Sequence, residues 1–220
     1  MSESSPLAAV AACTSVLLLI ATTPNAWAME PEAGRFLVAA EALEDPNFAK
    51  TVVLLLHHDG DGSIGLIINQ HSDIAPAQLL PGIRGLDRYQ GKLFLGGPVE
   101  LSHVSVLAAE GAGGTAVLKG VYLSNDPTTL EGLLLAARGQ GERAVRIFIG
   151  YAGWSGGQLE AEISAGGWRV HAASAKHVFE QDPSRLWGSL REAASQSSPD
   201  EPFVVRALPA TGSPTPGASR

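Results

Sequence analysis

Apolar residues come in short runs through most of this chain, punctuated by Gly, Pro, Asn and Asp. Residues 35–40 read as a short strand. Residues 51–57, TVVLLLH, form a Val- and Leu-rich run, the pattern of a strand buried on both faces. Asp59-Gly60-Asp61-Gly62 has turn chemistry, and 64–69, IGLIIN, follow as the second arm of a hairpin. Residues 74–80 predict a short helix stopped by Pro81-Gly82. Residues 92–95 predict a strand ending at Gly96-Gly97-Pro98. Strands at 103–108 and 116–123 flank a glycine-rich link at 111–114.

A helix is expected to start at Asp126, with Pro127 in its first turn and Leu130, Leu133, Leu134 and Ala137 on one stripe, and to stop at Gly139. Then come a strand at 144–150, a short helix at 158–164, a strand at 168–172 and a last helix at 183–195 capped by Asp182. Hairpins mixed with helices at irregular spacing give an α+β class with a mixed or antiparallel sheet, not the βαβ rhythm of a doubly wound fold.

The two ends follow a different pattern. Residues 7–22 are an uncharged apolar run of 16, followed by Pro24 and Ala26-Trp27-Ala28. That is the layout of a secretory signal peptide, and the run is shorter than the roughly 20 residues of a membrane span. Residues 1–28 are therefore expected to be a signal peptide or an upstream leader. If the leader is used, the protein is periplasmic or secreted and has no stable membrane insertion after its removal. The alternative is a cytoplasmic protein starting at Met29. Residues 207–220 are Pro, Gly, Ser, Thr and Ala with little to bury, the composition of a disordered tail. The domain proper spans 34–206.

Charge narrows the function classes. The 220 residues carry 15 Lys and Arg against 22 Asp and Glu, a net charge of −7, and removing Glu3 with the leader leaves −6. The basic residues are scattered; Arg143 and Arg146 with Arg138 are the nearest approach to a patch. Direct nucleic-acid binding normally needs a cluster, because each phosphate contact displaces counterions. The partner expected is a protein or a small molecule. The single cysteine, Cys13, precludes an internal disulfide or thiolate zinc site, and no cofactor is expected.

Two local patterns invite chemistry. Gly153-Trp154-Ser155-Gly156-Gly157 is a G-x-S-x-G between a strand and a helix, the setting of a nucleophile elbow with Ser155 as nucleophile. The plain alternative is a glycine-rich turn. His57-His58-Asp59-Gly60-Asp61-Gly62-Ser63 has oxygen ligands at the first EF-hand positions, but Ile64 and Gln70 stand where glycine and a bidentate glutamate are required, so no metal is expected.

Taken together, several blocks resemble one family. They are Phe36-Leu37-Val38-Ala39, Asp45-Pro46-Asn47-Phe48, Thr51-Val52-Val53-Leu54-Leu55, His58-Asp59 with Gly62, Gly65-Leu66-Ile67-Ile68-Asn69, Gly96-Gly97-Pro98-Val99, Gly120-Val121-Tyr122-Leu123-Ser124 with Asp126, Gly150-Tyr151-Ala152-Gly153-Trp154, Gly157-Gln158-Leu159-Glu160 with Glu162-Ile163, and Trp168. In this order and spacing they look like the YqgE/AlgH family over about residues 34–190. The resemblance implies a single α+β domain with a barrel-like bifurcated sheet and peripheral helices. It brings no established cofactor or catalytic residue; one branch of the family is described as a transcriptional regulator, named for its effect on alginate production. Gln70-His71 and Glu41 depart from the family pattern, as does the leader.

The reading that follows is a non-enzymatic regulatory or interaction module that does not bind DNA directly. Its alternatives are a small serine hydrolase using Ser155 and a secreted small-ligand-binding module. Polar or glycine positions in the matched blocks supply the ligand-binding candidates: Asn69, Gly96, Gly97, Tyr151, Trp154 and Gln158.

Overall fold

The computed structural model describes residues 29–109, 114–137 and 141–196. The expected leader, the tail, the Gly139 helix stop, Arg138 and most of the 111–114 link lie outside the described residues. In chain order the elements are β1 (Arg35–Ala39), β2 (Val52–Asp59), β3 (Gly62–Ile67), α1 (Pro76–Leu79), β4 (Leu93–Leu95), β5 (Val99–Ala108), β6 (Thr115–Leu118), β7 (Val121–Ser124), α2 (Pro127–Ala136), β8 (Val145–Ser155), α3 (Gln158–Ser164), β9 (Trp168–Ala172), α4 (Ala175–Phe179) and α5 (Pro183–Gln196).

Among the described residues nine strands form one curled sheet in the order β6-β7-β5-β8-β3-β2-β1-β9, with β4 pairing parallel to β8 off that path. All the other pairings are antiparallel. The fork is at β8. Its first half takes β5 on one side and β4 on the other, while its second half, Ala152 to Ser155, pairs with β3. This is the α+β, bifurcated, half-barrel architecture that the family resemblance implied.

The curl brings distant strands together. A Cβ placed on Gly34, just before β1, would lie 2.8 Å from the Val117 carbonyl oxygen of β6. Phe36, Leu54, Leu66, Phe94, Leu107, Val121 and Phe148 form the inside core, joined by Val178 and Phe179 from α4 and Leu186 and Leu190 from α5. The outer face carries two further clusters. Leu130, Leu133 and Leu134 of α2 pack on Val106, Val145 and Ile147. Leu159 of α3 packs with Leu37, Val53, Leu55, Trp154 and Trp168. The first half of β2 is buried on both faces, as its sequence predicts, and its last four residues alternate.

Three expectations need correction. Residues 116–123 are not one strand: Lys119-Gly120, with Gly120 at φ 77°, turns the chain back and makes β6 and β7 a hairpin. The strand predicted at 144–150 runs on to Ser155, because Gly150 adopts φ 67° within the strand rather than ending it. The strand predicted at 103–108 begins earlier, at Val99, across a bulge in which Val99 faces Tyr151 and Val104 faces Ile149.

Asp126 caps α2 as expected. Its carboxylate accepts the Thr128 and Thr129 N–H groups at 3.2 and 3.1 Å and both threonine hydroxyls at 2.5 and 2.8 Å. These bonds, led by the Thr128 and Thr129 hydroxyls, favour the ionised form and lower its pKa from 3.8 to about 2. A folded-state pKa below the unfolded value stabilises the fold above about pH 4, and that contribution is lost as pH falls through about 2. An NMR titration is expected to show the Thr128 and Thr129 amides shifting with a midpoint near 2. A midpoint near 4 would mean that the cap is not formed in solution.

Candidate functional site

Each candidate residue is tied to an element that needs it. Asn69 follows β3, and its side-chain oxygen accepts the Val52 N–H at 2.7 Å while its amide nitrogen donates to the Lys50 carbonyl at 3.0 Å. It therefore holds the entry to β2 in place, including Lys50, a non-glycine residue at φ 58°.

Gly96 and Gly97 sit where the sheet forks. Gly96 donates to the Ile149 carbonyl and accepts from the Ile67 N–H, both at 2.8 Å, which stitches β3 to β8. A Cβ on Gly96 would meet the Gly150 carbonyl oxygen, and one on Gly97 would meet the backbone of Tyr151 and Ala152. The space these glycines leave open is filled by backbone from β8.

Trp154 and Gln158 belong to one cluster whose centre is Glu162 of α3. The indole N–H groups of Trp154 and Trp168 both donate to Glu162 Oε2, at 3.0 and 2.8 Å. Gln158 donates to Glu162 Oε1 at 3.0 Å and accepts the Ser155 N–H at 3.1 Å. Phe48 stacks on Trp154 with centroids 5.8 Å apart and meets Trp168 edge-on at 5.5 Å. The three rings pack against one another and fix α3 and the β1–β2 connection to the outer face of the sheet.

Ser155 is the last residue of β8 and is exposed. The strand–turn–helix context of the G-x-S-x-G is present, and among the described residues none of the six histidines hydrogen-bonds the Ser155 hydroxyl. His57 pairs with Asp59 at 2.8 Å. His58 lies 2.8 Å from the Ser63 hydroxyl and 3.7 Å from Glu160. His71 stands 3.4 Å from Glu142, and His177 bonds Ser174 at 2.9 Å. The His103 ring stands edge-on to Tyr151, and His171 pairs with Phe36 across β1 and β9. Burial pulls the pKa values of His171 and His177 down.

The Asp59–Gly62 loop spends its carboxylate internally, since Asp59 accepts the Asp61 and Gly62 N–H groups at 2.9 and 3.2 Å. Among the described residues no three His, Cys, Asp or Glu side chains are placed to hold a metal ion. The nearest approach to a basic patch does not survive either. Arg146 is only 1% exposed, with its guanidinium 4.9 Å from the Phe94 ring centre and directed at the Ile68 and Gln181 carbonyls, at 3.3 and 3.4 Å. Arg138 lies outside the described residues.

Tyr151 differs from the other candidates. Its backbone faces Val99 across the bulge, its ring packs on the inside core, and it meets His103 edge-on at 5.8 Å. Its ring lies beside Gly153, 3.5 Å from where a side chain there would begin.

No described helix is long and apolar enough to cross a membrane. Known proteins share this sequence and architecture. The AlgH-like family's sequence pattern matches residues 36–197. A UPF0301 protein of Chlorobaculum tepidum is 38% identical over 157 residues, covering 70% of this chain and 82% of that protein. One of Streptomyces coelicolor is 38% identical over 187 residues, covering 78% and 94%. The solution structure of the AlgH protein of Pseudomonas aeruginosa superposes with a TM-score of 0.59 at 29% identity, covering 77% of this chain and 94% of that one. A crystal structure of a Corynebacterium diphtheriae protein superposes with a TM-score of 0.62 at 25% identity, covering 76% and 88%. The chain belongs to the AlgH-like family.

Proposed function

We propose that this protein is a non-enzymatic interaction module that acts by binding a protein or small-molecule partner. The observation that carries this reading is the commitment of its polar residues. Asn69, Gln158, Glu162 and the indoles of Trp154 and Trp168 are engaged in internal hydrogen bonds, and among the described residues no base hydrogen-bonds the Ser155 hydroxyl. Nucleophilic catalysis by serine needs a base in hydrogen-bond contact with the hydroxyl and a group that orients that base. A regulatory role inferred from the AlgH name would run through such a partner and not through DNA. The net charge of −7 and the burial of Arg146 favour that route.

The test exposes the full chain to a fluorophosphonate probe and, in parallel, titrates it against duplex DNA at low salt. No labelling and no salt-sensitive retention of DNA are expected. Labelling that disappears in Ser155→Ala would replace this reading with the hydrolase. Tight DNA binding that weakens steeply with salt would replace it with a direct regulator.

A further inference from the structure

We propose that the patch of sheet around Ile64, Gly153, Tyr151 and Leu101 is a docking surface for a protein segment with apolar anchors flanked by lysine or arginine. The proposal rests on the interaction-module reading and gives that module a surface and a partner class.

The surface begins at the β3–β8 pairing. Ile64 faces Gly153 across the two strands, two residues from Leu66 of the inside core, so both lie on the inner face. Ile64 is nevertheless 41% exposed. The atoms nearest to where a Gly153 side chain would begin belong to the Tyr151 ring and Val99, at 3.5 to 3.9 Å. Gly153 thus forms a low floor between Ile64 and Tyr151. The helices that fill the inside, α4 and α5, contribute Val178, Phe179, Leu186 and Leu190 to the core and leave Ile64 exposed.

The bulge in β5 supplies the second anchor. Leu101 is 56% exposed, and its methyl lies 3.1 Å from where a Gly150 side chain would begin. The preceding Glu100 is held at φ 45°, a strained conformation for a non-glycine residue. A single exposed leucine is ordinary. Leu101 reaches Gly150, next in the chain to Tyr151, whose ring meets His103 and adjoins Gly153, the residue opposite Ile64; this series of contacts is the layout of a small hot spot.

Charge selects the partner. The stretches 52–68, 96–105 and 147–157, which hold Ile64, Leu101, Tyr151 and Gly153, contain no lysine or arginine. They carry Asp59, Asp61 and Glu100, all exposed. Asp61 lies three residues from Ile64 and Glu100 precedes Leu101, and such carboxylates attract basic flanks and repel acidic ones.

The experiment is an NMR titration of the full chain with a synthetic peptide of alternating leucine and lysine, and with its leucine–glutamate counterpart. The lysine peptide is expected to shift the signals of Ile64, Leu101, Tyr151 and Gly153. Leu101→Asp and Ile64→Asp are each expected to weaken its binding by at least about tenfold. Leu135→Asp, at an equally exposed leucine of α2, should leave binding unchanged. Spectra of the free variants verify that they fold, and both altered sites are already open to water. The proposal is overturned if neither peptide binds, if both bind alike, if the shifts fall elsewhere, or if the two aspartate variants bind like the parent. Concentration-dependent shifts of these residues without peptide would give the surface to a second copy of the chain and also overturn it. None of these outcomes bears on whether Ser155 reacts with fluorophosphonate, so the docking surface and the module reading can fail separately.

Discussion

Gly97→Ala is expected to lower stability by about 3–5 kcal/mol, combining overpacking with backbone strain. The new methyl would meet the carbonyl carbon and oxygen of Tyr151 and the nitrogen of Ala152. These are backbone atoms of the longest strand in the sheet, so no rotamer change relieves the contact. Gly150 closes the crossing from the other side: at φ 67° its own side-chain position lies 2.5 Å from the Gly97 carbonyl oxygen and 3.0 Å from that of Val99. Relief requires the β4–β5 link to move off β8. That movement breaks the two 2.8 Å bonds through which Gly96 ties Ile67 to Ile149. Gly132→Ala is the control. It sits inside α2 with nothing within 4 Å of the added methyl, and is expected to stabilise by about 0.5–1 kcal/mol through helix propensity. Urea unfolding of both variants checks the pair. A Gly97→Ala protein within about 1 kcal/mol of the parent would mean that the strands do not cross as closely as described.

Legibility in the sequence followed local punctuation. The helix at 158–164 and the strand at 168–172 are readable to the residue because Gly156-Gly157 and Gly166-Gly167 flank the helix and mark the start of the strand, and their apolar periods are clean. The hairpin at 59–62 was equally plain. Position 150 misled because glycine reads as a stop, whereas a glycine inside a strand also lets the backbone kink and continue. Lys119-Gly120 was the converse case, a real turn hidden inside an apolar run. The helix α4 went unread because five residues are too few to show a period, although Ser174 caps it by accepting the His177 N–H. In the candidate site, Trp154 and Gln158 stood out by type, but Glu162, which joins them, did not. Its signal was the i, i+4 spacing from Gln158 on a helix between two tryptophans, and spacing alone does not say that both indoles converge on one carboxylate. Nor does a one-dimensional pattern show that an arginine in the run VRIFI is buried on a strand covered from both faces.

Glu162→Ala should then cost about 2–5 kcal/mol, since it strands two indole donors at about 1–3 kcal/mol each. Trp154 and Trp168 are 6% and 2% exposed, so neither N–H can turn to water without unpacking its ring. Unpacking either ring disturbs Phe48, which contacts both, and with it the chain between β1 and β2. Gln158 would also lose the acceptor that orients it toward the Ser155 N–H, so the β8–α3 turn loosens together with the helix. Glu162→Gln separates the two contributions. Its side-chain oxygen can still accept both indoles, while its amide nitrogen faces the Gln158 amide nitrogen, so it should cost less than half as much as alanine. Urea unfolding measures the energies, and the indole N–H signals locate them. Those of Trp154 and Trp168 should shift in both variants, while that of Trp187, which donates to the Ala39 carbonyl at 2.8 Å, should stay in place. If the Trp187 signal moved as far as the other two, the damage would be general and the carboxylate would not be the local anchor of α3. If alanine cost no more than glutamine, the two indoles would be finding other acceptors, and the cluster would owe its stability to ring packing alone.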